Sequence, residues 1–121
     1  MTATDKMVWG LVAHLIADWP LQNDWMAKHK AKPGHPAGIV HAAIHGAALA
    51  PVFRWKALPL ALAHYVIDLR VPVAKWSAFM RQTQPGGEGY DIGLEVRFWT
   101  DQVFHIASIA VLALSEKEAG A

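Results

Sequence analysis

The 121-residue chain contains no cysteine, and only 17% of its residues are charged. Without cysteine there is no disulfide framework, no zinc ribbon and no thiol nucleophile, so any bound metal must use nitrogen and oxygen ligands. The formal net charge is only +1 and no dense basic run is present, so we expect no sequence-specific nucleic-acid binding. Because 54% of the residues are hydrophobic, the chain has ample apolar surface to bury and is not a disordered protein.

Long apolar runs without interruption are also missing. The four most apolar segments cover residues 7–21, 39–53, 58–69 and 98–114, and each contains histidine or aspartate. None reaches the roughly 18 uncharged apolar residues expected of a membrane-spanning helix, and the basic connections show only a modest bias to one side. The start of the chain does not resemble a signal peptide, because Asp5 and Lys6 precede the first apolar run. We therefore expect a protein that is not secreted, with a membrane and a cytoplasmic location both left open.

The apolar segments predict an all-α fold, most simply a four-helix bundle that forms a single helical domain over residues 1–121. The predicted helices start near Thr4, Ala37, Pro59 and Leu94, and the last one ends near Glu116. We expect Thr4 to cap the first helix, and Pro20 and Pro72 to kink the first and third helices. The glycine-rich segment 84–93 is predicted to be a flexible loop that is either a gate or a linker.

Each predicted helix carries one pair of candidate metal ligands at positions i and i+4. The four pairs are His14 with Asp18, His41 with His45, His64 with Asp68, and Asp101 with His105. Residues four apart lie on the same helix face, so both side chains of a pair can reach one point. If all four faces turn inward, five imidazoles and three carboxylates meet inside the bundle, which is enough for two metal ions.

Chance placement does not account for this pattern. It would give about one or two of the seven histidines a His or Asp partner at this spacing, whereas five of the seven have one. Hydrogen bonds between His and Asp are the simpler alternative, but they do not explain a pair on every helix. We therefore expect a centre of two divalent ions, zinc in the first place, with manganese, iron or nickel as alternatives.

Polar neighbours of the pairs are candidates for roles in catalysis. Gln22 lies one turn beyond the first pair, and Gln102 directly follows Asp101. We predict catalytic roles for Asp101, Gln22 and Gln102, with a carboxylate serving as proton acceptor. Arg97 lies one turn before Asp101 and is predicted to bind a substrate phosphate, although a plain surface position at the helix start is an equal alternative.

The strings HLIADWPLQ, HAAIH, HYVID and DQVFH, which contain the four pairs, resemble the small bacterial and phage proteins grouped as domain-of-unknown-function family 3307. The resemblance covers nearly the whole chain and implies a protein of the bacterial inner membrane or cytoplasm without an assigned activity. The chain departs from the family pattern at Trp19, where phenylalanine is usual, and in its many alanines. A more distant likeness, in site chemistry alone, is to helical zinc phosphoesterases, whose N-terminal tryptophan ligand is missing here.

Three functions fit these features, and the oligomeric state is left open. We favour a metal-dependent hydrolase of a phosphoester in a nucleotide, a nucleic acid or a lipid, in which two ions activate water and clamp the reacting oxygens. The alternative is a non-catalytic, metal-stabilised helical protein that binds a membrane or a host or phage partner, since eight protein ligands leave two ions little room for water. The third possible function is a redox protein with iron or manganese. It is the least favoured, because the sequence lacks the Glu-x-x-His spacing that is usual in such bundles.

Overall fold

The computed structural model describes residues 1–83, 90–91 and 94–115, and this part of the chain is almost entirely α-helical. Its helices are α1 (Ala3–Asp18), α2 (Asp24–His29), α3 (Pro36–Phe53), α4 (Ala57–Asp68), α5 (Val71–Phe79) and α6 (Leu94–Ser115). A 3₁₀ turn over Arg54–Lys56 joins α3 to α4. Two two-residue strands, β1 (Gln82–Thr83) and β2 (Tyr90–Asp91), pair in parallel. The all-α prediction is confirmed.

The described part of the chain forms six α-helices where the sequence predicted four, because the chain breaks at Pro20 and just before Pro72 instead of only kinking there. α1 ends at Asp18, and Pro20 has no N–H group with which to continue the helical ladder. Pro72 lies in the first turn of α5, where a missing N–H costs little. The break before it occurs at Arg70, whose φ of 66° lies in the left-handed region that interrupts a right-handed helix.

A capping box formed by Thr2 and Asp5 starts α1. The Asp5 backbone N–H donates to Thr2 Oγ1 over 3.0 Å, and the Thr2 backbone N–H donates to Asp5 Oδ2 over 2.9 Å. Hydrogen bonds from the Thr2 backbone N–H and the Thr2 side chain hold the pKa of the Asp5 carboxyl below its usual value. The prediction of Thr4 as the cap is wrong, because Thr2 and not Thr4 has an acidic residue three positions later.

The four helices that carry the His/Asp pairs pack around one another. Contacts join α1 to α3, α3 to α4, α4 to α6, and α6 back to α1, while α2 packs on α3, and α5 packs on α4 and α6. The apolar core is small and consists of Leu49, Phe53, Ala57, Leu60, Ile109 and Ala113. It lies where α3 ends and α4 begins, so the other end of the helix assembly is left to the polar pairs.

Two stretches are long and apolar enough to cross a membrane by length and composition, Pro36–Asp68 and Phe98–Ser115. The first contains α3, the 3₁₀ turn and α4, and since α3 and α4 pack side by side it is a hairpin and not one long helix. The expectation that no segment is long enough is wrong, because α3 alone has 18 residues without a lysine, arginine, aspartate or glutamate.

Gly10 allows α1 to approach its neighbours closely. A Cβ atom at this position would lie 2.9 Å from Ile109 Cγ2 on α6 and 3.0 Å from Phe53 Cε2 at the end of α3. Both neighbours are buried in the apolar core, so neither side chain has free space into which it can move. The glycine is therefore required by packing.

We predict that Gly10→Ala is less stable than Gly46→Ala by about 1–3 kcal/mol, because overpacking strains the core. Gly46 is the matched control: it also lies inside a helix, gains the same helix propensity from alanine, and its added Cβ would meet only Ala61 Cβ closely, at 3.2 Å. Thermal unfolding of the two variants in the same buffer measures the difference. Equal melting temperatures would contradict the packing role of Gly10.

Candidate metal centre

The His/Asp pairs of α1, α3, α4 and α6 converge on one cluster inside the helix assembly. All five paired histidines and two of the three paired aspartates are buried, namely His14, His41, His45, His64, His105, Asp18 and Asp68. The side chain of the remaining partner, Asp101, keeps 22% of its surface exposed. Each of the four helices thus contributes one pair of buried or partly buried side chains to the cluster.

Asp18 lies at the centre of a first group that joins α1, α3 and α4. Its Oδ1 atom is 3.2 Å from His41 Nε2, 2.9 Å from His45 Nε2 and 3.8 Å from His64 Nε2. The two lone pairs of this oxygen accommodate the hydrogen bonds from His41 and His45, while His64 Nε2 lies beyond hydrogen-bond distance. The three nitrogen atoms and the carboxylate oxygen also lie close enough together that they could hold a metal ion.

Asp68 lies at the centre of a second group that joins α4 and α6. Its Oδ1 atom is 3.0 Å from His105 Nε2, and its Oδ2 atom is 2.9 Å from His64 Nε2. Despite that short distance, His64 Nε2 has no hydrogen-bond partner with acceptable geometry, and it is fully buried. Buried polar atoms normally have a hydrogen-bond partner, so a metal ion bound to this nitrogen is the simplest explanation.

The spacing of these atoms fits a first coordination shell. In a tetrahedral zinc site with bonds of about 2.0–2.1 Å, neighbouring ligand atoms lie about 3.3 Å apart. The short Nε2–Oδ distances of both groups, 2.9–3.4 Å, bracket this value. The ligand atoms form two sets, and within each set all atoms lie within 4.8 Å of one another. The first set is Asp18, His41, His45 and His64, and the second is His64, Asp68 and His105. These buried residues could hold a metal ion, and His64 is common to both sets.

The charges point to the same conclusion. No lysine or arginine is buried in the described part of the chain, so the side chains in direct contact with the carboxylates of Asp18 and Asp68 are imidazoles and the Gln102 amide. Protonation of several histidines could not easily supply the positive charge that balances these carboxylates. The rings of His45 and His64 are stacked with centroids 3.5 Å apart, and like charges at that distance repel. A divalent cation compensates both carboxylates without this repulsion.

His14 and Gln102 support the first group from one side. The His14 Nε2–H group donates to Gln102 Oε1 over 2.9 Å, and Gln102 Nε2 donates to Asp18 Oδ2 over 3.1 Å. Gln102 is buried and orients both side chains, and it also borders the cavity beside the cluster. Sequence reasoning missed these contacts, although the i, i+3 spacing of Gln102 and His105 already places them on one helix face.

The other predicted site residues lie at the edge of the cluster or outside the described residues. Asp101 Oδ2 is 3.3 Å from His105 Nε2. Gln22 Oε1 is buried and has no hydrogen-bond partner among the described residues. The side chain of Arg97 and the segment 84–93, apart from the strand Tyr90–Asp91, lie outside the described residues.

A cavity of about 290 Å³ opens directly beside the cluster. Its lining includes the three aspartates of the predicted site together with Gln22 and Gln102. Two basic residues, Lys30 and Arg70, and two aromatic residues, Trp19 and Phe98, complete much of the wall. The sequence offered only a weak signal for this wall, since Arg70 follows Asp68 by two positions while Lys30 is 38 positions away from it.

His29 and His35, which belong to no pair, form no part of either ligand set. Their rings stack on each other with centroids 4.7 Å apart, and His35 Nδ1 accepts a hydrogen bond from the Ala37 backbone N–H at the start of α3. Their role in the described structure is to shape the turn between α2 and α3.

A family model described as "Protein of unknown function (DUF3307)" matches residues 7–120, a range that includes all four pairs. No curated protein and no solved structure gave a significant match, so the likeness to helical zinc phosphoesterases is without support. Because the family model covers nearly all of the 121 residues, the chain belongs to the DUF3307 family of proteins of unknown function.

Proposed function

We propose that the chain is a metal-dependent hydrolase of a phosphoester, built as a four-helix bundle around a two-ion His/Asp centre. The observation that supports catalysis is the cavity, because it is lined by Asp18 and Asp68, the central carboxylates of both groups. Structural metal sites are closed by protein ligands, whereas catalytic sites keep a position open to water and substrate. A cavity against both carboxylates is the arrangement that a catalytic site requires.

The ligands divide between the two ions by distance. Asp18, His41 and His45 would hold the first ion, and Asp68 and His105 would hold the second, with Asp101 beside them. His64 lies between the two groups and would complete one of them. A nitrogen and oxygen donor set of this kind suits zinc best, with manganese, iron and nickel as alternatives.

The bound ions would supply Lewis acidity and allow water to ionise near neutral pH. The residues of the chain would position the reacting groups. Asp101 is partly exposed, lines the cavity and can accept a proton from water there. Gln22 also lines the cavity, and its unpartnered Oε1 can accept a hydrogen bond from water or substrate. Gln102 would fix the orientation of Asp18 and His14.

The alternative function is a non-catalytic protein in which metal stabilises the bundle. The dense set of five histidines and three aspartates favours it, since many protein ligands leave few positions for water. In that case the cavity would have no catalytic use.

We also propose that the bundle associates with a membrane, which favours the bacterial inner membrane over the cytoplasm. Leu58 and Leu62 on the outer face of α4 are 73% and 66% exposed, while the inner face of the same helix carries His64 and Asp68. Exposed apolar side chains also cover α1 and α6. Many exposed apolar side chains around an interior that carries polar pairs suit contact with lipid.

We predict that the metal-replete protein binds two ions per chain and that Asp18→Ala and Asp68→Ala each lose one, because each removes the central carboxylate of one group. The double variant should lose both. His35→Ala is the control, since His35 lies in neither group. Metal analysis by inductively coupled plasma mass spectrometry after gel filtration measures the stoichiometry. Fewer than one ion per wild-type chain would refute the metal centre.

We predict that the metal-replete protein hydrolyses p-nitrophenyl phosphate or its diester, that chelation stops turnover, and that zinc or manganese restores it. Gln102→Leu should keep its metal but lower kcat roughly 10- to 100-fold, because Asp18 and His14 lose their orienting partner. Ser108→Ala, which removes a hydroxyl from the same helix away from the cavity, is the control. A fully metallated protein without turnover on either ester would leave the non-catalytic alternative.

We predict that the protein sediments with bacterial membranes, resists carbonate extraction and needs detergent for solubility. Leu62→Lys should shift it toward the soluble or aggregated fraction, since lysine costs about 2.5–3.5 kcal/mol at the centre of a membrane helix. Lys28→Gln, at the polar end, should fractionate like the wild type. Wild-type protein that stays in the supernatant without detergent would contradict membrane association.

A further inference from the structure

We propose that the cavity beside the metal centre takes a phosphate ester with an apolar substituent. The phosphate would lie between the metal centre, Lys30 and Arg70, and the substituent would lie against Trp19 and Phe98. This inference rests on the proposed hydrolase function and adds to it the class of substrate.

The first observation is that two cations from distant parts of the sequence form the basic part of the cavity lining. Lys30 follows α2, and Arg70 lies in the turn between α4 and α5. Within the described residues neither lies within ion-pair distance of a carboxylate, although Asp18, Asp68 and Asp101 line the same cavity and the charge of Lys30 acts on Asp68 over a longer distance. An anion that enters the cavity would therefore meet both positive charges there.

The second observation is a set of apolar residues in the lining of the same cavity, Trp19, Phe98, Val73 and Ala74, which we call the apolar wall. The rings of Trp19 and Phe98 stack with centroids 6.0 Å apart and planes inclined by 20°, and Val73 and Ala74 extend the same lining. Trp19 is 53% exposed, so much of its surface can accept another apolar group. Because Trp19 directly follows Asp18, this apolar surface is held beside the metal centre.

The basic and apolar parts of the cavity lining together indicate the class of substrate. A phosphoryl dianion matches two divalent ions and two side-chain cations better than a carboxylate with one charge does. Inorganic phosphate would leave the apolar wall without a partner, whereas an ester with a carbon substituent would cover it. Two sources provide this chemistry: a lipid phosphate with an alkyl chain, and a soluble phosphate with a planar ring.

The test uses phosphonates, which resemble phosphate esters but are not hydrolysed. Binding of methylphosphonate, phenylphosphonate and hexylphosphonate to the metal-loaded protein in detergent micelles is measured by titration calorimetry. We expect phenylphosphonate or hexylphosphonate to bind roughly 10-fold more tightly than methylphosphonate, because only these two cover the apolar wall. Preference for the hexyl compound identifies the lipid source, and preference for the phenyl compound identifies the soluble source.

Substitutions test the contributions of the basic residues and of the apolar wall separately. Lys30→Gln and Arg70→Gln should each weaken all three phosphonates roughly 10-fold or more. Trp19→Ala should weaken only the phenyl and hexyl compounds. Lys28→Gln and Trp76→Ala are matched controls, because both residues lie outside the cavity lining, and they should bind like the wild type. Metal content is measured for every variant.

The inference is overturned if the three phosphonates bind equally, or if the Lys30 and Arg70 variants bind them as the wild type does. Its failure differs from failure of the proposed function. A metal-loaded protein that binds phenylphosphonate through these residues but hydrolyses no phosphoester contradicts the hydrolase alone. Turnover with a KM unchanged in Lys30→Gln, Arg70→Gln and Trp19→Ala contradicts the substrate assignment alone.

Discussion

The structure depends on the compensation of two buried carboxylates, those of Asp18 and Asp68. An ionised carboxylate inside a protein destabilises it by several kcal/mol unless it is paired and hydrogen-bonded. Here the surrounding groups are imidazoles from four helices, and the described interior contains no lysine or arginine. The helices must therefore approach closely enough for their histidines to meet, and small buried residues such as Ala17 and Ala42 lie next to the ligands in sequence. A cation at the centre would attract every one of these ligands and so stabilise the packing of the helices.

The polar side chains in the interior leave less buried space for the apolar side chains of the protein. The apolar core at the opposite end of the bundle contains six of the twelve hydrophobic residues that are buried in the described part of the chain, which are few for a chain that is 54% hydrophobic. Many leucine, valine and tryptophan side chains are left on the surface. A lipid environment would supply the burial that the small core does not, so the metal centre and the proposed membrane association follow from the same distribution of side chains.

The sequence predicted the parts of the site that depend on local geometry. Because the α-helix repeats every 3.6 residues, the His64–Asp68 spacing alone shows that both face one side. The grouping of ligands was not predictable in this way. Asp18 of α1 contacts His41 and His45 of α3 more closely than its own pair partner His14, since helix packing and not sequence spacing sets those distances. The two proline positions show the same limit, because local sequence permits a kink or a break and the packing of α2 and α5 decides between them.

The position of the His/Asp cluster bears on the choice between the proposed catalytic role and a purely structural one. A metal that only joins helices is best enclosed by them, where water cannot compete for its ligands. This cluster instead lies toward the end of the bundle where α1 stops at Asp18 and α4 stops at Asp68, so both central carboxylates terminate helices. At that end the chain turns aside into α2 and α5, and a cavity remains between them and the start of α6. The same helix breaks that place Lys30 and Arg70 on the cavity wall also open the ligands to it, which gives the two prolines after the aspartates a role in forming the site.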